Sequence, residues 1–496
     1  MAKGDNTVLS KASDPAIISQ VLVVSNKDKS RSVDLAGGTS ILKYFESILA
    51  ETVRVSVTYV DTGHSVKSED DDTVMAAVEG LPIVGTETCK VIIEDNNQNE
   101  IELDLFVNKV TPIQETPKAN TVNLELVSKE FILNEKVRVN TRFDGKIANG
   151  TEEDGGGGGS TDSQGGHVEK IIKSEENFLN TDKEIHIEAT ANNYNFIGNN
   201  RKPFYVLNTL SKKAVPDGKL GKSAGFFFWE TSEGFHFKSI DTLLDTDKNP
   251  IKKSILYDNT PDGKGSGIPP AYDIKALEYS EDNRVNIKEK MSLGAYATKI
   301  ITFDPRKAAY KVLTRSIKDD TTKSGGGTPQ DEGSEKNLTT GGEELPVLNP
   351  VFDREGFDKD YSRTTYYVED TGTLPTGNGL GEDQEQLSKS KLPNFVQSQI
   401  VNQSIRRYNQ FYASQVTITI PGDFSLHAGD ALFVDAPSVT ADKSKGEVNQ
   451  RTGGLYIITD LCHYVSTDGT FTKLNLVRDS FGRQGIPLKG LKNYDY

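Results

Sequence analysis

Cysteine is almost missing from this chain: two residues in 496, Cys89 and Cys462. That excludes a disulfide scaffold and any thiolate cluster for zinc. No apolar run approaches the ~20 residues of a membrane-spanning helix. The opening Met1-Ala-Lys-Gly-Asp-Asn6 has no apolar stretch of the secretory kind. The expectation is a soluble chain made in a reducing cytoplasm, with both thiols unpaired. Positive charge is also short, with 57 Lys and Arg against 72 Asp and Glu, a net −15. This balance opposes a role in coating nucleic acid, which needs basic patches to release counterions, and opposes adhesion to an anionic bilayer. Histidines are six and scattered, at positions 64, 167, 186, 236, 427 and 463, none at the local spacing of a metal site.

The length implies about three to four domains. Hydrophobic residues make up 35% and Gly is abundant at 44, so polar insertions must be extensive. The signal that dominates is period-two alternation. Val53, Val55, Val57 and Tyr59 alternate with polar residues before the Asp61-Thr62-Gly63 turn, as do Ile101 to Val107 and residues 121–127. A last β block runs from Val416 to Val477, with Pro421-Gly422 and Ala428-Gly429-Asp430 as turns. Residues 225–244 predict two aromatic strands around Thr231-Ser-Glu-Gly234, then a short helix entered at Ser239 or Asp241. In that hairpin Phe226, Phe228, Phe235 and Phe237 form one face, with Phe227 and Trp229 on the other, as core, subunit contact or sugar platform. Helical spacing is read at 394–413 and at 40–49, where Ile41, Leu42, Phe45, Ile48 and Leu49 share a face behind Thr39 or Ser40 as cap. Many half-buried strands and few helices predict an antiparallel barrel or sandwich. Gly- and charge-rich stretches at 150–166, 318–344 and 371–391 predict flexible loops. A short echo links Leu124-Glu-Leu-Val-Ser-Lys129 to Leu474-Asn-Leu-Val-Arg-Asp479.

Most apparent chemical motifs dissolve on inspection. Asp61-Thr62-Gly63 and Asp370-Thr371-Gly372 mimic the paired loops of aspartic proteases, in which two carboxylates share a proton. Glu369 puts a charge where the second loop should be apolar, and Asp-Thr-Gly is ordinary turn chemistry. Gly218 to Ser223 lacks the leading Gly of a phosphate loop, which is Pro216 here. Asp245-Thr-Asp247-Lys-Asn249 lacks the Gly and the bidentate Glu of a calcium loop, replaced by Pro250 and Leu256. Glu69-Asp-Asp-Asp72 reads as a solvated run. His236 and His463 are the histidines best placed to act as bases, though a strand histidine usually meets a neighbouring hydroxyl or solvent. No catalytic, cofactor-binding or metal-binding residue is assigned.

Taken in order, several blocks resemble the central baseplate hub protein of T4-like contractile-tailed phages, related to the hub portion of type VI secretion spike proteins. They are Tyr44 to Leu49, Leu81 to Glu87 before Val91-Ile-Ile93, Leu126 to Glu130, Asn134 to Arg138, and Gly225 to Leu244. Gly294-Ala-Tyr296, Phe303-Asp-Pro305, Pro421-Gly422, Leu426 to Asp430, Gly454 to Ile457 with His463, and Leu474 to Ser480 complete the set. The resemblance covers roughly two thirds of the chain and skips 150–166 and 318–390. It implies a mainly β, multidomain chain with some α, in which two antiparallel tube-type β-barrels carry α+β accessory domains. The first barrel would occupy 1–148, then a Gly-rich loop 149–168 and an accessory domain 169–270 with the aromatic hairpin. A shared segment 271–400, with insertions 318–345 and 371–391, precedes the second barrel at 401–496. It further implies a non-enzymatic homotrimer in the virion tail baseplate, synthesised in the host bacterial cytoplasm. Its partners would be the tail tube protein, the central spike protein and other wedge proteins, with DNA passing through without specific binding and no membrane anchoring. A carbohydrate- or receptor-binding tail β-protein is the alternative, and a hydrolase a distant one.

Overall fold

The computed structural model describes residues 12–67, 73–116, 118–150, 165–173, 178–217, 224–256, 276–281, 286–294, 297–304, 308–316, 362–368, 397–412, 414–435 and 453–478. Most of the three expected loops, the Asp370 triplet, the Gly218 to Ser223 stretch and the Glu69 to Asp72 run lie outside these residues.

The fold is mainly β. Seven strands of the main sheet come from the first part of the chain: β1 (Ile17–Val24), β2 (Ser32–Asp34), β3 (Thr39–Ser47), β4 (Arg54–Asp61), β5 (Thr88–Glu94), β6 (Glu100–Glu115) and β7 (Asn120–Val127). Helices α1 (Lys129–Lys136), α2 (His167–Lys173) and α3 (Pro203–Ser211) then alternate with β8 (Ile185–Ile187), β9 (Phe226–Thr231) and β10 (Gly234–Ser239), before α4 (Ile240–Leu244). Next come β11 (Ile251–Leu256), β12 (Glu278–Glu281), α5 (Ile287–Leu293), β13 (Ala297–Asp304), β14 (Ala309–Ser316), β15 (Arg363–Val368) and α6 (Gln397–Phe411). The last strands are β16 (Ser414–Pro421), β17 (Ala431–Asp435), β18 (Gly454–Ser466) and β19 (Gly469–Arg478).

One sheet of 13 strands runs β12-β16-β19-β18-β3-β4-β7-β6-β5-β1-β2, with β17 also on β18 and β11 beside β17. Two blocks from opposite ends of the sequence therefore share a ladder. The joint is β18 on β3, antiparallel from Asp460↔Ser47 to Ser466↔Ile41. Strict alternation makes these strands what they are: Val55, Val57 and Tyr59 on β4, and Leu124 and Leu126 on β7, enter one core with Ile418, Leu474 and Leu476 of the second block. Other ties cross between the blocks. Phe424 N donates to Asp95 Oδ2 at 2.8 Å, and Ala16 N donates to Thr470 Oγ1 at 2.6 Å. Both strands of the echo, β7 and β19, are interior strands of their blocks.

The helix expected at 40–49 is instead strand β3. Leu42, Tyr44 and Glu46 point inward, while Lys43, Phe45 and Ser47 point out. The helical spacing was an accident of Phe45, which is 40% exposed, and the true inward set hides behind the charge of Glu46, which is 2% exposed. The other expectations on described residues fare better. The Asp61-Thr-Gly turn closes on itself, with Gly63 at φ +79° and its N–H donating to Asp61 Oδ1 at 2.8 Å. The aromatic hairpin pairs Thr231↔Gly234 at its tip, and Ser239 caps α4 by accepting from Thr242 N at 3.1 Å.

Candidate functional site

The hairpin β9–β10 stands between two cores. Phe226, Phe228, Phe235 and Phe237 enter one core with Ile171, Leu207 and Leu210. Phe227 and Trp229 enter another with Ile48, Phe411, Ala428, Ile457 and Val477. Trp229 is 2% exposed and donates from Nε1 to Ala428 O at 2.9 Å. The sugar-platform alternative thereby loses the residue it named.

The tip of the hairpin docks where β3 and β4 begin the joint between blocks, through two buried charged clusters. In the first, Glu46 of β3 accepts from Tyr44 Oη, from Ser232 N at 3.1 Å and from Ala428 N at 2.7 Å, and it faces His427 Nδ1 at 3.1 Å. Glu233 stands 3.7 Å from the other ring nitrogen of His427. Burial works against charge on both partners, yet the Glu46 bond and the nearby Glu233 and Asp430 raise His427 to about 9. Burial alone would raise Glu46; its bonds to His427, Tyr44 and Ala428 N hold it below its ordinary value.

In the second cluster Glu230 of β9 accepts from Val53 N at 3.0 Å and from Ser128 Oγ at 2.7 Å. Lys183 bridges it to Glu130, at 3.2 Å from the latter. Burial, only partly offset by Lys183, lifts Glu230 to about 7. Below the hairpin Glu188 accepts from Ser239 N at 2.7 Å and Ser239 Oγ at 3.0 Å, and burial lifts it to about 7 as well. A carboxyl raised in the folded state lets the native protein hold a proton that the unfolded chain has lost. The share of stability these two carboxyls supply is therefore full below pH 4.5 and is lost as pH rises through about 7. Glu188→Gln should weaken this fall and raise the unfolding free energy at pH 8 by roughly 1–3 kcal/mol, read by denaturation at several pH values. A variant that loses stability at pH 8 would mean that the carboxylate is needed there.

On the other side of the β18–β3 joint lies a groove of about 510 Å³, lined by Phe45, Ser47, Arg54, Asp460, Cys462 and Lys473 among others. Of its two acidic lining residues, Glu46 belongs to the cluster above, and Asp460 accepts from Ser47 Oγ at 2.5 Å and from Asn475 Nδ2 at 3.3 Å. The candidate catalytic groups are likewise committed to structure. Asp61 accepts from Gly63 N, Ser65 Oγ and Ala77 N. His236 Nε2 meets Thr231 Oγ1 and His463 Nδ1 meets Thr472 Oγ1, both at 2.9 Å. Asn249 donates to Leu243 O and Gly429 O, which turns the would-be calcium loop into a tie between chain segments. Cys89 and Cys462 are both free. Among the described residues no group of three or more His, Cys, Asp or Glu is placed to hold a metal ion. Sequence reasoning missed Glu46, Glu230, Lys183 and His427, whose partners are far away along the chain.

No family model matches the chain, and no curated protein does. Solved structures do. The chain is similar to the 43 kDa tail protein of prophage MuSo2 from Shewanella oneidensis, with TM-score 0.45 and 9% identity, covering 94% of this chain and 100% of that one. A tail protein from Neisseria meningitidis MC58 gives TM-score 0.45 and 9% identity over 94% of this chain and 99% of that one. A type VI secretion component from E. coli, described as structurally similar to T4 bacteriophage tail proteins, gives TM-score 0.35 and 9% identity over 91% of this chain and 76% of that one. These neighbours are tail and secretion proteins, the class that the sequence resembles. At this identity the similarity transfers no residue-level role.

Proposed function

We propose that this chain is a structural subunit of a contractile phage tail, the baseplate hub that joins a hexameric tail tube to a central spike. The observation that carries the reading is the β18–β3 ladder, which fuses two β blocks from opposite ends of the sequence into one rigid sheet. A chain with two such blocks, repeated three times about an axis, presents six similar rims, and a threefold body can then meet a sixfold tube. The blocks are the barrels of this reading, and the hairpin clusters are the means by which the accessory unit is fixed to their joint.

The role is non-catalytic. Asp61 closes its turn, and one ring nitrogen each of His236 and His463 meets a neighbouring hydroxyl. The partners are two further copies, the tube protein, the spike protein and the surrounding wedge proteins, all within the virion baseplate. With the net charge of −15, an acidic channel wall would repel phosphate and let DNA pass without adhering. Native mass analysis of the purified chain, an image of the parent particle and a DNA titration at low salt test the proposal together. The expected outcome is a homotrimer about an open axis with no salt-sensitive DNA affinity. A single copy per particle, a closed axis or a DNA-binding lysine-lined channel would overturn it.

A further inference from the structure

Among the described residues, the small sheet β14-β13-β15 has one face covered and one face bare. On the covered side Thr298, Ile300, Thr302 and Asp304 of β13 are buried. There Thr298 bonds Asn402 of α6, and Arg406 Nη1 donates to Thr298 Oγ1 at 3.2 Å and to Asn402 Oδ1 at 2.8 Å. The alternate residues of β13 point away from α6. Register sets Phe303 between Tyr310 of β14 and Val368 of β15, and Ile301 between Val312 and Tyr366. Fractional exposures are 47% for Phe303, 77% for Tyr310, 46% for Val312, 77% for Tyr366 and 64% for Val368.

These residues are contiguous across three strands, whereas single exposed apolar side chains need no explanation. With aromatic side chains burying about 150–250 Å² each, the patch offers on the order of 500 Å². That is at the upper end of what a monomer leaves bare, and it makes up most of one side of a standard interface, roughly 800 Å² per partner. The patch has a second property. Positions Lys299, Ile301, Phe303, Tyr310, Val312, Thr314, Thr364, Tyr366 and Val368 share this face by register, and none is a carboxylate. Two copies of a chain carrying −15 repel each other across an average stretch of surface. Here they can approach without that cost.

We infer that the bare face of β14-β13-β15 is covered by another copy of this chain and is one of the contacts that build its oligomer. The inference rests on the homo-oligomeric reading above and adds where the copies touch. The test pairs Tyr310→Glu with Tyr366→Glu in the full-length protein, since both side chains are exposed and can be exchanged without disturbing the core. Sedimentation over a range of concentrations should show self-association weakened at least 100-fold, with the near-ultraviolet dichroism of the fold unchanged. In wild type, both tyrosines should resist nitration in the oligomer and react once it is diluted apart. An oligomer that survives both substitutions with reactive tyrosines overturns this inference alone and leaves the ring intact. A wild type that never self-associates, free or in the particle, overturns the ring reading and this contact with it. Protection already present in a monomer would assign the face to the chain's own remaining residues. Protection gained only on adding a different tail component would assign it to that partner. Either result overturns the inference.

Discussion

Glu46→Ala should lower the stability of this protein by about 3–5 kcal/mol, the usual result of removing one member of a buried charge pair. The loss has identifiable parts. His427 would keep its burial and lose the carboxylate that supports its charge, and the N–H groups of Ser232 and Ala428 and the Tyr44 hydroxyl would lose their acceptor. The pH profile separates charge from shape. His427 rises from 6.5 to about 9 on folding, so its contribution is complete below pH 6.5 and disappears as pH climbs through 9. Glu46 is depressed from 4.5, so its contribution is present above pH 4.5 and is lost as pH falls below. The pair therefore stabilises most between about pH 4.5 and 6.5. Glu46→Gln keeps the shape and should make the decline between pH 6.5 and 9 shallower by the share of His427, leaving the shares of Glu188 and Glu230. Denaturant titrations followed by the fluorescence of the sole tryptophan, Trp229, read both variants close to the joint. An unchanged midpoint and an unchanged slope above pH 6.5 would show that the pair is incidental.

Glu46 also marks the boundary of what the sequence could disclose. Strands β4, β6 and β7 were legible because their inward positions are apolar and their outward ones polar, so that period two is written in composition. The aromatic hairpin was legible for a different reason: a Ser-Glu-Gly turn flanked by bulky residues, followed by a capping serine. Strand β3 broke the code at one position. A carboxylate stands inside because its histidine arrives 381 residues later, and no local window contains that information. The same distance hid the edge pairing of β18 with β3. The histidines fared oddly well: His236 and His463 met neighbouring hydroxyls as expected of strand residues, while His427, to which no role was given, faces the buried carboxylate of Glu46. Alternation reports burial, and only tertiary proximity reports partnership.

Trp229→Ala should cost about 3–5 kcal/mol, the range for emptying a buried aromatic site. The indole does three things at once. It fills the core shared by Ile48, Phe411, Ile457 and Val477, it stacks on His236 at 5.0 Å between ring centres, and it satisfies Ala428 O. It also leans on a residue that has no side chain. A Cβ on Gly429 would lie 2.7 Å from Trp229 Cζ2, at a backbone φ of +98° that disfavours any L side chain. Gly429→Ala should therefore destabilise on its own, through strain of roughly 1–3 kcal/mol plus the collision. In the double variant the collision has no target, and only the backbone strain remains. The two costs should consequently add to less than their sum, with a coupling of at least about 0.5 kcal/mol, as expected of residues in contact. Near-ultraviolet dichroism and thermal midpoints of the two single variants and the double one measure it. The carbohydrate-binding alternative makes the opposite demand, that Trp229→Ala abolish glycan affinity while leaving stability intact. Strict additivity of the two substitutions, or a stable Trp229→Ala protein, would mean that the ring does not hold the hairpin to the joint, and the rigid connection on which the hub reading depends would lose its centre.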